Sequence, residues 1–447
     1  VSASLAPRAL SRLWSLAILL GGCTAAYEAA LHRDLREAEA RLVAREEPTP
    51  DFDGSLEAYV RYASARSPML RASLERWRSA THSIAPSRQL PEPMVTYGFY
   101  FGPNMHRVMV EQELPWPTRL TRAADAQSAR ALAAQRRFEA EALELRMRVA
   151  SAYWRLWSIR ARREVDREQL ELLGTLAEAM RARMAVGQAS LADLAPIELG
   201  RSRLDDALRG LDEQERAAEA ALRAALGAPR AIAVPTVADV PPPALPSEAP
   251  DALAESVSSH PYLASFLLMA EASEADAAAM EGERFPSLRF GVEGMFDNDR
   301  SGGMHGQSPM EGVIASVGVS VPLWQDAYAE RQRAMRAEGE AERAEGQAAQ
   351  DAAQAELEAA LAMLRDSHRR VRFYETTLIP QAQAAYESIV GRLVTGDGEL
   401  GAALMAQRDL LELRTMGIEA RAEHGEAWAR LERVVGRPVR IEEVGHE

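Results

Sequence analysis

Hydrophobic residues recur along this chain with two different periods. From Phe138 the apolar positions fall at Phe138, Ala142, Leu145, Val149, Ala152, Leu156 and Ile159, alternating by four and three, and the seam resumes at Leu170, Leu173, Ala177, Met180 and Met184. That spacing predicts a helix with one buried stripe. Unbroken from Thr118 to Val186, it would be about 100 Å long, far more than a globular core needs. Gly187 ends the run, and a return helix is predicted over Leu191–Leu226. Four other segments alternate with period two. In VTYGFYF, Val95, Tyr97, Phe99 and Phe101 share a face; in RVMVEQEL, Val108, Val110 and Leu114 oppose Arg107, Met109, Glu111 and Glu113. In SLRFGVEGMF, Leu288, Phe290, Val292 and Phe296 oppose Arg289, Gly291, Glu293 and Met295; in VIASVGVSV, Val313 to Val321 alternate with Ile314, Ser316, Gly318 and Ser320. These read as strands.

The pattern is written twice. Gly187 matches Gly396, Leu191 matches Leu400, Leu204 matches Leu413 and LGAP (226–229) matches VGRP (435–438), all at an offset of 209 residues. VEQELPWP (110–117) matches VGVSVPLW (317–324), and the second seam runs through Ile379, Ala382, Tyr386, Ile389 and Leu393. The expected organisation is an export segment over 1–22, a first repeat over 23–236, a proline-rich link over 237–250 and a second repeat over 251–447. Each repeat carries two strands and a long helical hairpin. Pro380 falls inside the second long run, where a kink or break is expected.

Composition narrows the function. Of the 447 residues, 47% are hydrophobic and 26% charged, which fits a folded chain. The net charge of −14 argues against nucleic acid as a partner. All 52 basic residues are arginine, so the lysine of a nucleotide-binding loop and Schiff-base chemistry are both absent. The lone cysteine, Cys23, follows Arg8, Arg12, an apolar run over Leu13–Leu20 and Gly21-Gly22. A basic region, a short apolar region and small residues constitute an export signal, and the apolar run is too short to span a bilayer. Leu20-Gly21-Gly22-Cys23 resembles a bacterial lipobox, which implies lipidation of Cys23; an ordinary cleaved signal with a chance cysteine is the alternative.

Strands of 8–10 residues, apolar on one face and polar on the other, suit a transmembrane barrel, although a soluble sheet with one wet face shares the pattern. Four strands cannot close a barrel, and open edges are not left in lipid. A membrane reading therefore requires oligomerisation; three copies would supply twelve strands.

The signal and lipobox, the duplicated strand–strand–long-helix order, ELPWP and SVPLW at the strand-to-helix joins, and Gly-x-x-Ser-Leu-x-Asp-Leu at the helical turn together resemble the TolC family of outer-membrane efflux channels over nearly the whole chain. QLPEPMVTYGFYFGP followed by VEQELPWPTRL resembles its heavy-metal efflux branch. The resemblance implies a mainly α protein with a small β part. In it, long antiparallel hairpins and four strands per chain assemble as a homotrimer, whose twelve-stranded barrel in outer-membrane lipid continues as a periplasmic α-barrel. It also implies a passive exit duct, without cofactor, that works with a periplasmic adaptor (a membrane fusion protein) and an inner-membrane pump. The duct of a type I protein secretion system and a non-pore periplasmic coiled-coil lipoprotein are the alternatives.

On this reading Val186, Gly187, Leu191, Gly396 and Leu400 form the hairpin tips that meet the adaptor. The family closes its entrance with aspartates six and nine residues after the second glycine, where this chain has Ala402 and Met405. Gate candidates are therefore Asp193, Asp397, Glu399 and Met405, with Leu404 beside it; capping of a helix start is the plainer role for Asp193. Glu111, Glu113 and Glu293 share the inner face of the strands, where a threefold repeat favours cations unless Arg107 and Arg289 neutralise them. Met105-His106 and Met304-His305 are expected in the strand-to-strand loops, where thioether and imidazole suit soft metals; chance, or a methionine that packs in the loop, is the plainer reading, and no metal site is expected. The eight histidines are otherwise scattered and no catalytic constellation is visible, so no enzyme activity is expected.

Overall fold

The computed structural model describes residues 22–43, 52–101, 105–237, 244–297, 312–395 and 399–440. The signal segment, Met304, His305, Gly396 and Asp397 lie outside the described residues, and of Cys23 only the helical backbone is described.

In chain order the elements are α1 (Gly22–Val43), α2 (Leu56–Arg66), α3 (Pro68–His82), α4 (Ile84–Ser87), β1 (Met94–Tyr100), β2 (Met105–Leu114), α5 (Pro117–Ala185), α6 (Leu191–Leu226), α7 (Pro250–Ser258), α8 (Pro261–Gly282), β3 (Ser287–Asp297), β4 (Gly312–Ser320), α9 (Gln325–Phe373), a π turn (Tyr374–Leu378), α10 (Ile379–Thr395) and α11 (Leu400–Val435). The chain is mainly α with one antiparallel sheet in the order β1-β2-β3-β4. Two compact units are present. One comprises the chain up to Ala38 with Ser73–Phe138 and Tyr262–Ala349; the other comprises Glu39–Ala72, Glu139–Pro261 and Gln350–Glu447. Each draws segments from both halves of the sequence.

The first unit holds the sheet. Its helical part is built on Leu31, Ile84 and Ala131, with Trp77 set against Phe138 at 5.7 Å between ring centroids. Small residues bring α8 and α9 close: a Cβ at Gly346 would meet the Cβ of Phe266 at 3.0 Å. Pro117 opens α5, where its fixed φ is preorganised and its missing N–H is not needed.

The second unit holds the helical hairpins. The seam read from the sequence is the buried stripe of α5: Leu145, Val149, Leu156, Ile159, Leu173, Ala177 and Met180 are all buried. Each such leucine contributes roughly 2 kcal/mol by leaving water. The matching seam of α10 is only half-buried at Ala382, Tyr386, Ile389 and Leu393. Helices α6 and α11 have the same length, 36 residues, and each ends on a left-handed glycine, Gly227 (φ 65°) and Gly436 (φ 80°).

Pro380 neither ends nor breaks its helix. The π turn Tyr374–Leu378 immediately precedes it. A proline ring clashes with the carbonyl four residues back, here Thr376, and widening that turn moves the carbonyl away. Among the described residues no helix is long and apolar enough to cross a membrane.

Candidate functional site

The sheet has its polarity inverted relative to a water-soluble one. Its apolar face is exposed: Val313 is 77% exposed, Val95 67%, and Val108, Val110, Leu288, Phe290, Val292, Val317 and Val319 are also exposed, while on the edge strands β1 and β4 the polar face is exposed as well. The register aligns this face across strands, with Val95 opposite Val110, Val110 opposite Val292, and Val292 opposite Ala315. Every arginine and glutamate of the four strands lies on the other face, because 107, 111, 113, 289 and 293 share one parity in the register. There Arg107 is joined to Glu293 at 2.7 Å, Glu293 being 7% exposed, and Arg289 stands 4.0 Å from Glu113. Large exposed apolar area rimmed by polar groups marks a surface that meets lipid or a partner. Exposed aromatics stand at both ends of the strands: Trp116, Phe285 and Trp324 at the helix joins, Phe99, Tyr100 and Phe101 at the far end, with Tyr97 at the middle of β1. Trp116 and Phe285 stack with centroids 4.9 Å apart.

Among the described residues β1 pairs only with β2 and β4 only with β3. The apolar face is thus bounded by two strands whose outer edges offer unpaired backbone donors and acceptors.

The expected loop placement of Met105-His106 requires correction. Met105 and His106 belong to β2, not to a loop. Adjacent strand residues point to opposite faces. Met105 therefore lies on the face of Arg107, whereas His106 lies on the apolar face, where its Nδ1 meets the Tyr97 hydroxyl at 2.8 Å. These two side chains do not converge on one ion.

At the first hairpin tip, Gly187 takes φ 75°, its N–H donates to the Met184 carbonyl (3.0 Å), and that of Gln188 donates to Arg183 (2.8 Å). Those two bonds are a glycine C-cap that satisfies the last carbonyls of α5. The next helix begins with a capping box: the Asp193 carboxylate accepts from the Ser190 N–H (2.8 Å) and from its hydroxyl (2.7 Å). Both bonds hold the Asp193 carboxyl below its ordinary value, the hydroxyl bond most. Asp193 is thus occupied as a cap. Val186, Leu191 and Met405 are each 69% exposed, whereas Leu400 and Leu404 pack on the cluster of Leu173, Ala177, Met180 and Ile197. Glu399 is exposed and stands at the N-cap of α11 without a side-chain cap bond. The Ser-x-x-Asp spacing of the capping box was a readable signal.

Known structures resemble this chain along most of its length. A membrane protein from Pseudomonas aeruginosa matches with a TM-score of 0.73 at 19% identity, over 87% of this chain and 91% of that one. CusC, described with its transmembrane channel formation, matches with a TM-score of 0.71 at 15% identity, over 87% and 94%. The Neisseria gonorrhoeae MtrE outer membrane channel, in its open state, matches with a TM-score of 0.70 at 16% identity, over 86% and 89%. The chain has the fold of these channels. No family model and no curated protein sequence matches it.

Proposed function

We propose that this protein is an outer-membrane exit channel of a tripartite efflux system. Three copies join β1 of one to β4 of the next, and twelve strands close a barrel. Closure satisfies the edge groups that lipid cannot. The helical hairpins line the periplasmic conduit, and their tips around Val186, Gly187, Leu191, Gly396 and Leu400 receive a periplasmic adaptor tied to an inner-membrane pump. The boundaries 23–236 and 251–447, the lipid on Cys23 and placement in the heavy-metal branch belong to the same reading and rest on the sequence motifs. Small toxic solutes, metal cations among them, are the cargo of that branch. A gate at Met405, Asp397 and Glu399 fits the same tips; Asp193 supports the turn rather than the gate.

The observation that carries this reading is the inverted sheet: exposed valines and phenylalanines outside, every strand arginine and glutamate inside, two free edges. Native mass spectrometry of the full chain released from detergent tests it. Three copies of the chain in one particle is the expected result. A monomer that keeps its sheet in the same detergent contradicts it.

A further inference from the structure

The ionic layer of the sheet is not evenly compensated. Its inner face can be followed level by level through the register. Arg107 stands level with Gly98, Met295 and Gly312, and Glu293 is one level away beside Met109 and Ile314. These two close the 2.7 Å pair, and the Arg107 guanidinium also donates to the Tyr100 hydroxyl at 3.1 Å. Further along, Glu113 is directly opposite Arg289 and accepts from the Ser287 hydroxyl at 3.0 Å. Between the two pairs lies the level of Met94, Glu111, Gly291 and Ser316. Among the described residues no cation lies within 4 Å of Glu111 and no side-chain hydrogen bond is made to it. The Glu111 side chain lies beside Gly291, where an added Cβ would meet Glu111 Cγ at 3.3 Å and Ser316 Oγ at 2.5 Å. Glycine there keeps the floor of this level open.

We propose that Glu111 is the residue that sets the ion preference of the barrel: the Glu293 and Glu113 charges are cancelled by Arg107 and Arg289, and between those paired levels three copies of Glu111 form an uncompensated carboxylate ring that selects cations. The inference rests on the channel reading and deepens it by naming the charge class that passes most readily and the side chain responsible. A ring of like charges in a narrow wet passage concentrates counter-ions and repels co-ions. A salt-bridged pair presents only a dipole to the same passage. Of the three glutamates on this face Glu111 is the one left without an arginine, and Asp297, of the same parity, stands apart at the far end of β3.

Reversal potentials in planar bilayers under a potassium chloride gradient at low ionic strength test it, using the full-length assembled protein. Single removal of Glu293 would expose Arg107 and alter net charge, so pairs are removed together. Wild type is expected to prefer cations. Glu111→Gln is expected to lower the cation-to-anion permeability ratio by roughly threefold or more, and Glu111→Asp to retain most of it. The doubles Arg107→Gln with Glu293→Gln, and Arg289→Gln with Glu113→Gln, are expected to keep the wild-type ratio. Conducting Glu111→Gln channels with the wild-type ratio overturn the inference and leave the channel reading intact, as does collapse of the ratio in a pair-removal double. Wild-type protein that assembles but passes no current overturns the channel reading and the inference with it.

Discussion

The indole of Trp154 on α5 occupies the place where a side chain at position 425 of α11 would stand: a Cβ added to Gly425 would collide with the ring. A helix-interior glycine costs up to about 1 kcal/mol relative to alanine, so propensity alone favours replacement. The contact reverses that sign. Trp154 is held edge-to-face by Tyr153 and Trp157, at 5.5 and 5.6 Å, and cannot swing away freely. Gly425→Ala is expected to destabilise the protein by about 1–3 kcal/mol, the range for overpacking. Thermal denaturation of a double-mutant cycle with Trp154→Ala checks it; the penalty should shrink once the ring is gone.

A second prediction concerns Arg160. Its guanidinium donates to Glu215 (2.7 Å), to Glu219 (2.7 Å) and to the Val234 carbonyl (2.6 Å). It thereby ties α5 to α6 and to the segment that leaves α6. Glu215 is buried, and Arg163 is its other cation. Arg160→Ala is expected to cost about 1.5–3 kcal/mol, the range for hydrogen bonds to charged groups, because Arg163 still neutralises Glu215. Arg160→Lys should recover only part of this, because an ammonium cannot reproduce the fork. Chemical denaturation of the three proteins decides the order.

His424 makes the protein acid-sensitive. It is buried, its Nδ1 faces the Ser367 hydroxyl at 3.2 Å, and the His368 ring lies 5.8 Å away. Burial first, then the neighbouring His368, with Arg421 adding to it, pushes its pKa down to about 4. The fold therefore prefers the neutral ring, and the unfolded chain takes up the proton first. Stability should fall as pH drops from about 6.5 to about 4 and level off below, by on the order of 3 kcal/mol from this residue. His424→Gln should flatten that part of the curve. Melting temperatures of wild type and variant across this range, compared at each pH, provide the check.

At the first tip, a side chain at Gly187 would meet nothing within 4 Å, so the constraint is the positive φ alone. Gly187→Val should cost about 1–2 kcal/mol of local stability, seen as faster amide exchange at residues 184–190, and should leave three-chain assembly intact. Loss of adaptor capture by this variant would place docking at the tip; wild-type capture would place it elsewhere.

How much of this was legible follows from which interactions are local. The long α5, its glycine stop and the start of α6 are written in near-neighbour patterns: a 4-3 seam, a glycine able to take φ 75°, a serine three residues before Asp193. Strand faces were equally readable, since parity alone separates Val110 from Glu111. What failed was the end of a strand. Nothing local distinguished Met105-His106 as the start of β2, because the pairing of Met105 with Tyr100 and with Asp297 decides it. The same holds for long-range partners. That Arg107 neutralises Glu293 and leaves Glu111 alone depends on register, and that Trp154 needs a glycine 271 residues away depends on helix packing. The response to Pro380, a widened turn instead of a break, depends on the α10–α11 packing that keeps the helix in place.

The central claim, that copies of this chain close their sheets into an open wet passage, is tested most directly by single-channel recording of purified full-length protein in a planar bilayer. Discrete conductance steps from a three-chain particle are the expected result. Absence of any conductance from protein shown to be membrane-inserted would contradict the account.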